Sequence, residues 1–520
     1  MSTATLIGIS KVDPQWQSHV GTVVVGKDIM ELLSSSMYVD PMSIFREYTQ
    51  NSSDSIEDAV TSGILRSSRA GRVDITIDPT SRSIRIRDNG TGISENEFFK
   101  RLTAFGASAK RDSNARGFRG VGRLAGLGYC QELIFRSRTL GEANVCELKW
   151  DGKKIKQALK TPGFHGHLSE LVNHAVTFRK VEAKGFPEHF FEVELQNVIR
   201  HKNDILLNSE VITAYLAQVA PVPFSPEFPF AERINNALSP HVSMCDFKIQ
   251  IHGVEGQIYR SHRDICEMGN NIVSRYSDLE LFELPAVDGS IAAVGWILHH
   301  DYLGAVPERS GVRGLRLRVG NIQVGDGSLL ADLFPEPRFN SWTVGEIHIV
   351  DRRITPNGRR DHFEQNVHYY NLLNHLSPIT RQIASRCRVS SIRRNALREF
   401  DRLFTSLQHD VSIIRQGAVT RNQKQELLDQ CERTLEEIGR VAARTAVKDS
   451  SAELQKRIDK ARGLVSKVAT DCHRNRSLAS VSPAKRRAYE EIVDLIYRCS
   501  PSKDAAKLLV DKILSSLGKV

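Results

Sequence analysis

The chain has 520 residues, 40% hydrophobic and 25% charged, with a formal net charge of +10. This is the balance of a soluble globular protein with room for roughly three to four domains. No apolar run approaches the roughly 20 residues needed to span a bilayer. The N-terminal MSTATLIGISKVDPQW has no basic segment leading into an apolar one, so the sequence suggests no signal peptide, no membrane partner and a cytoplasmic location. Its eight cysteines are scattered without a CxxC pair, which excludes a disulfide framework and a sequence-recognisable zinc site. The charge is uneven. From Arg381 onward there are 29 basic and 17 acidic side chains, about +12, against 42 and 44 before it. An anionic partner, if there is one, is expected at the C-terminal part.

A β-branched run at Val23–Val25 and a helical pattern through Ile29, Leu32 and Leu33 come first. Asp40-Pro41 then reads as a helix start, a capping side chain followed by the residue best tolerated at the first helical position. In this helix Glu47, Asn51, Asp54 and Asp58 recur at spacings of four, three and four and so share a face, while Ile44, Tyr48, Ile56 and Ala59 can pack elsewhere. Such a face is either a solvated acidic stripe or the holder of a magnesium ion, an ordered water or a phosphate cluster.

Val73, Ile75 and Ile77 alternate, as do Ile84 and Ile86 after the turn Asp78-Pro79-Thr80-Ser81, predicting an antiparallel strand pair. The second strand runs into Asp88-Asn89-Gly90-Thr91-Gly92, whose glycines permit a tight turn and a close approach to a ligand. Residues 103–128 are rich in Gly, Ala, Ser and Arg, with a G-x-x-G-x-G spacing at Gly117, Gly120 and Gly122. Strands are predicted at Leu133–Arg138, Val145–Trp150 and Phe190–Leu195. The element order implies an α/β (α+β) sandwich with a mixed or antiparallel sheet, not a Rossmann or Walker site.

The proline-rich Ala220–Phe230 suggests a boundary, giving domains over 1–225, 226–380 and 381–520. Strands are predicted in the second at Phe247–His252, Gln257–Tyr259, Ala293–His299, Leu315–Val319 and Glu346–Val350. The third has few Gly or Pro. Leu397, Phe400, Phe404, Leu407, Val411 and Ile414 keep a three/four spacing that suggests a helical region with a possible coiled-coil or dimerisation role. Lys485-Arg486-Arg487 is a short basic cluster near its end.

Taken in order, Glu47, Asn51 and Asp54 (ExxxNxxD), Asp88, Gly90 and Gly92 (DxGxG), and Gly117–Gly122 (GFRGVG) resemble the three motifs of the GHKL, or Bergerat-fold, ATPase superfamily. That superfamily includes gyrase B, the ninety-kilodalton heat-shock chaperones, histidine kinases and MutL proteins. The resemblance implies ATP and Mg²⁺ as ligands, Asn51 as the magnesium ligand, Glu47 as the general base and Asp88 as the reader of the adenine amine. It places Asp54, Gly90, Gly92, Lys110, Gly117, Phe118, Arg119, Gly120, Val121 and Gly122 around the nucleotide. Arg119 and Arg123 could reach phosphate or project outward. Where the family carries a late-strand threonine that ties down the adenine contacts, this chain offers His189.

The segment from Gly314 to Asn366 resembles the chaperone middle domain, implying a second α/β domain of ribosomal-S5-like type. There Asn357 and Arg360 fall where the family carries its loop asparagine and catalytic arginine, with Arg359 beside them. The two-domain layout is similar to the heat-shock class, whereas GFRG is the MutL wording of the lid. The expected function is a slow ATP-driven conformational machine working as a homodimer. It would be chaperone-like with a protein client or, alternatively, a DNA-acting clamp of the MutL, MORC or topoisomerase B kind. A histidine kinase is expected to fit poorly, because that class carries a phospho-accepting helix before the ATPase domain and only about 40 residues precede the first motif.

Overall fold

The computed structural model describes residues 40–104, 122–160, 168–201, 203–244, 247–268, 272–416, 419–470 and 481–517. The elements expected before Asp40 lie outside these residues, as do Lys110 and the lid from Gly117 to Val121. The chain forms two compact units. The first comprises residues 1–299, 306–333 and 343–377, and the second 300–305, 334–342 and 378–520.

The first unit is built on helix α1 (Ser43–Thr61). The Asp40 carboxylate accepts from the Met42 N–H at 3.0 Å, and the Ser43 hydroxyl donates to the Asp40 carbonyl at 2.6 Å. Pro41 and Met42 spend themselves on this turn, so the helix starts later than Asp40-Pro41 suggests. Strands β1 (Arg72–Asp78) and β2 (Ser83–Asp88) follow, then α2 (Glu95–Thr103), β3 (Glu132–Arg138), β4 (Asn144–Asp151), α3 (Gly152–Lys160), α4 (Leu168–Ala175), β5 (Val176–Glu182), β6 (Phe190–Gln196), α5 (Ser209–Val219), α6 (Ala231–Leu238) and β7 (Lys248–Ile251). The seven strands form one sheet in the order β5-β4-β3-β6-β2-β1-β7. All neighbours are antiparallel except β1 and β7. β7 thus joins this sheet from beyond the proline-rich stretch.

One face of the sheet is apolar, with Ile75, Ile86, Leu133, Leu148, Trp150 and Leu195 packing with Ile44, Phe45, Tyr48 and Ile56 of α1. The hydrophobic side of α1 is therefore fixed, and its polar stripe is turned elsewhere. On the other face Arg136 of β3 pairs with Glu147 of β4 and with Glu192 and Glu194 of β6, a cross-strand ion-pair ladder. β5, which no alternation in the sequence announces, is a largely exposed edge strand.

A two-stranded sheet follows, in which β8 (Ile265–Glu267) pairs with β9 (Val273–Arg275), and then a second large sheet: β10 (Asp278–Pro285), β11 (Ile291–His299), β12 (Gly314–Val319), β13 (Ile322–Val324) and β14 (Val344–Ile349) in the order β10-β11-β14-β12-β13. β12 and β14 are parallel and the other pairs antiparallel. The expected strand at Gln257–Tyr259 does not form; Ile258 donates one hydrogen bond back to Ile249 at 2.9 Å and stays a connector.

Within this part lies a buried polar cluster. Arg260 and Arg318 both pair with Glu346, and the Arg318 contact is 2.7 Å. His348 Nε2 faces the same carboxylate at 3.3 Å. His262 packs edge-on against Phe224 and Trp296 and tilted against Phe228. Burial drives the pKa of His262 down to about 3 and that of His348 to about 4, so both are neutral when folded. In the unfolded chain they protonate near pH 6.5. Below that pH the unfolded state binds more protons, and stability is lost as pH falls toward the folded values. Replacing His262 with the near-isosteric phenylalanine is therefore expected to spare about 2 kcal/mol of the stability lost between pH 7.5 and 5. Denaturant midpoints of the wild type and His262→Phe at the two pH values check this; parallel losses would contradict it.

The second unit is helical. α7 (Val367–Gln416) is a 50-residue helix that runs through position 381, and the boundary between the units falls inside it, at Pro378. α8 (Arg421–Ala442), α9 (Ser451–Thr470), α10 (Pro483–Cys499) and α11 (Lys503–Leu517) follow. Phe400, Leu407 and Val411 of α7 pack in one core with Cys431, Ile438 and Val441 of α8 and Leu454, Ile458 and Val465 of α9. The three/four stripe that suggests a coiled coil is thus occupied by helices of the same chain, because short connections fold α8 and α9 back onto it.

Candidate active site

The polar stripe of α1 divides along its length. Glu47 and Asp54 are buried at 7% and 3% exposure, Asn51 is half-buried and Asp58 is exposed, so the part of the stripe turned inward ends at Asp54. Tyr48, between these positions, carries contacts that the spacing does not reveal. Tyr48 accepts from the Gly126 N–H and donates to the Arg123 carbonyl, both at 3.0 Å. It thereby ties the 3₁₀ segment Gly122–Gly128, the last part of the glycine-rich stretch, to the helix. A side chain at Gly126 would come within 2.7 Å of that phenolic oxygen. The Arg123 guanidinium donates to the Ala104 carbonyl at the end of α2.

β2 delivers Asp88 beside α1, 3% exposed. The Gly90 N–H donates to its carboxylate at 2.9 Å. The hydroxyls of Ser52 and Ser55 and the Phe191 N–H also bond to it. Burial nevertheless raises its pKa to about 7, outweighing these donors. The turn that follows needs its glycines. At Gly90 a Cβ would lie 2.1 Å from the Ser55 hydroxyl. At Gly92, where φ is +70°, it would lie 2.4 Å from the Arg138 carbonyl. His189 Nδ1 donates to the Gly90 carbonyl at 2.8 Å, and Ser137 accepts from the Ile93 N–H at 2.7 Å. His189 therefore braces the turn itself. Ser52 and Ser55, one and four residues past Asn51, supply side-chain hydroxyls to Asp88.

Arg360 enters from the loop after β14. Pro356 and Phe363 bridge as an antiparallel pair, and Asn357 binds Asp361 through its side chain at 2.6 Å, so Asn357 shapes the loop. At the tip Arg360 adopts φ +56°, a left-handed conformation that costs a non-glycine residue about 1–2 kcal/mol. Its Nε lies 3.4 Å from Glu47 Oε1. Arg46, the neighbour of Glu47, grips the same loop, donating to the Arg359 carbonyl at 2.9 Å and the Arg360 carbonyl at 3.4 Å. The candidate base and the candidate arginine thus meet, and Arg46 touches both, a neighbour that the motif spacing leaves out.

These residues suit a nucleotide with its metal. Glu47 Oε1 is buried without a hydrogen bond. A buried carboxylate with hydroxyl and amide donors sits beside a backbone turn that no side chain could fill. The oxygen donors of the α1 stripe suit a hard cation that takes its remaining ligands from phosphate and water.

Residues 55–174 match the family model described as histidine kinase-, DNA gyrase B- and HSP90-like ATPase. These residues belong to the GHKL ATPase superfamily. The matched segment includes Asp88, Gly90, Gly92, Lys110 and the lid glycines, and starts after Glu47, Asn51 and Asp54. Among curated proteins the chain is similar to the chaperone protein HtpG of Chlorobium phaeobacteroides, 30% identical over an alignment of 142 residues, with 24% of this chain and 22% of the relative covered. It is also similar to the DNA mismatch repair protein MutL of Aeromonas hydrophila, 31% identical over 132 residues, 24% of this chain and 19% of the relative. The match thus spans about a fifth of the length of either relative. Among solved structures, the ATPase region of Saccharomyces cerevisiae topoisomerase II aligns with a TM-score of 0.38 at 11% identity, covering 66% of this chain and 84% of that one.

Proposed function

We propose that the chain binds ATP with Mg²⁺, hydrolyses it slowly, and uses the cycle to switch conformation as a homodimer, in the manner of a ninety-kilodalton heat-shock chaperone. The observation that carries this reading is the 3.4 Å approach of Arg360, from the loop after β14, to Glu47 on α1. In this account Asp88 accepts from the adenine amine and Gly90 and Gly92 admit the base. Asn51 holds the magnesium ion, which supplies charge neutralisation at the phosphates. Asp54, Lys110 and the lid residues Gly117, Phe118, Arg119, Gly120, Val121 and Gly122 surround the nucleotide.

Glu47 orients the attacking water and takes its proton. Arg360 exchanges its contact with Glu47 for the γ-phosphate and stabilises the charge that develops there. Because that guanidinium belongs to the second sheet's loop, assembling the site and moving that loop are one event, which is how nucleotide binding becomes a conformational signal. The second sheet is read as the ribosomal-S5-like transducer of this cycle.

A second reading, a DNA-acting clamp, is favoured by the charge of about +12 carried from Arg381 onward and by the similarity to MutL. The two readings separate in one assay. The full chain is mixed with duplex DNA at low and at physiological salt, with and without a non-hydrolysable ATP analogue. The chaperone-like reading expects no salt-sensitive DNA affinity, whereas nucleotide-dependent DNA binding that weakens steeply with salt would replace it with the clamp.

A further inference from the structure

Arg360 holds its left-handed conformation against its own preference, so something must hold the main chain at that point. The Arg360 carbonyl accepts from the Gly325 N–H at 2.8 Å, just past β13. The two segments lie so close that a Cβ at Gly325, itself at φ +65°, would stand 2.8 Å from the Asp361 carbonyl. The Gly325 carbonyl in turn accepts from Gln323 Nε2 at 3.0 Å. At the other end of the same amide, Gln323 Oε1 accepts from Arg316 Nη1 at 2.8 Å. The same guanidinium nitrogen also donates to Gln218 Oε1 at 3.3 Å, near the end of α5. Gln218 is fixed from both sides, because its Nε2 donates to the Ala214 carbonyl at 3.0 Å and its own carbonyl accepts from Arg318 Nη2 at 2.6 Å.

We infer that Gln323 is a positioning residue for Arg360: through Gly325 it fixes the main chain of the arginine loop, and through Arg316 it anchors that loop to Gln218 on α5. The inference rests on the reading of Arg360 given above. Gln323 and Arg316 are buried, at 3% and 4% exposure, away from competing water. The orientation of the Gln323 amide follows from chemistry, since Arg316 can only donate and must meet the oxygen. Its nitrogen is then left facing the Gly325 carbonyl. A side-chain amide offers an acceptor and a donor on one planar group, which a carboxylate, a thioether and an ammonium do not, so this position favours glutamine over glutamate, methionine or lysine. A buried network with these bonds made is stiff, because any shift of one member strands another. Arg360 is therefore held in register with α5, which lies in the same unit as α1.

The test is the ATP turnover of the full chain carrying Gln323→Glu. This variant keeps the acceptor for Arg316 and sets an oxygen against the Gly325 carbonyl where a donor is required. ATP affinity should stay within about threefold, while kcat falls by about tenfold or more, as expected when a reacting group is displaced by a fraction of an ångström. In an Arg360→Asn background, where the residue tolerates the left-handed conformation but has no guanidinium, Gln323→Glu should cause no further loss. Additive losses in the double variant would overturn the inference, since they would mean a general structural role. So would an unchanged kcat in Gln323→Glu beside a large loss in Arg360→Asn, and in that case the Arg360 reading itself would survive. Unchanged turnover in Arg360→Asn would remove that reading and this inference together. Should Gln323→Glu not fold, Gln218→Met removes a single acceptor from Arg316. It is expected to lower kcat by about threefold in the wild-type background only, and an unchanged kcat would count against the inference.

Discussion

Replacing Glu47 with alanine is expected to leave ATP binding intact and to cut turnover by about 10²–10⁴-fold, the usual worth of a positioned general base. The carboxylate lies on α1 one turn before Asn51, and its Oε1 is buried with no hydrogen bond yet within 3.4 Å of Arg360. A solvated surface carboxylate would not be buried in this way. Removing it also leaves Arg46 and Arg360 in a largely buried place without their shared anion, a change that can destabilise a fold. Glu47→Gln therefore accompanies it, since it preserves shape and hydrogen bonding and cannot take a proton. Both variants should bind a non-hydrolysable analogue as the wild type does, measured by calorimetry, and both should fail in phosphate release. Undiminished turnover in Glu47→Gln would exclude it as the base.

The second large effect is expected at Asp88. Asp88→Asn should weaken ATP binding by about 100-fold or more, the loss of a charge-assisted acceptor together with an N–H₂ turned toward the adenine amine. The fold should survive, because an asparagine oxygen can still accept from Gly90, Ser52 and Ser55. The wild type should also show a pH dependence that the variant lacks. Burial raises the Asp88 pKa to about 7. The nucleotide needs the deprotonated form, so below pH 7 binding must first expel a proton, and affinity should fall by up to about tenfold per pH unit. Above pH 8 it should level off. Calorimetry at pH 6, 7 and 8 in buffers of different ionisation enthalpy reads both the affinity and the proton released. A flat profile would move the adenine contact elsewhere.

What was legible in the sequence is what local spacing encodes. The i, i+4, i+7 recurrence of Glu47, Asn51 and Asp54 places three polar groups on one helix face whatever the tertiary fold. Asp88-Asn89-Gly90-Thr91-Gly92 declares a close backbone approach because nothing but glycine would fit. Alternation marked most strands of the first sheet within a residue or two. The partners that come from elsewhere in the chain were not legible. Ser52 and Ser55 look like ordinary helix-surface serines, and only the arrival of β2 turns them toward Asp88. Arg46 reads as a neighbour of Glu47 and becomes the clamp of a loop more than 300 positions away. In GLRLRV the arginines look like the wet face of a half-buried strand. Both faces are buried instead, because α5, Glu346 and Gln323 supply the bonds that let Arg316 and Arg318 leave water. The three/four stripe of α7 gave the right periodicity, yet periodicity does not say whether the covering helix comes from the same chain.

The account stands on the claim that this chain binds and hydrolyses ATP, and phosphate release by the purified full chain with Mg²⁺ tests it most directly. The measurement follows release over hours beside Glu47→Gln as the background, with binding of a non-hydrolysable analogue measured on the same samples. Slow turnover above that background, with one nucleotide bound per chain, is the predicted result. Nucleotide bound at the same stoichiometry with release no faster than in Glu47→Gln would contradict it and leave a nucleotide sensor in place of an ATPase.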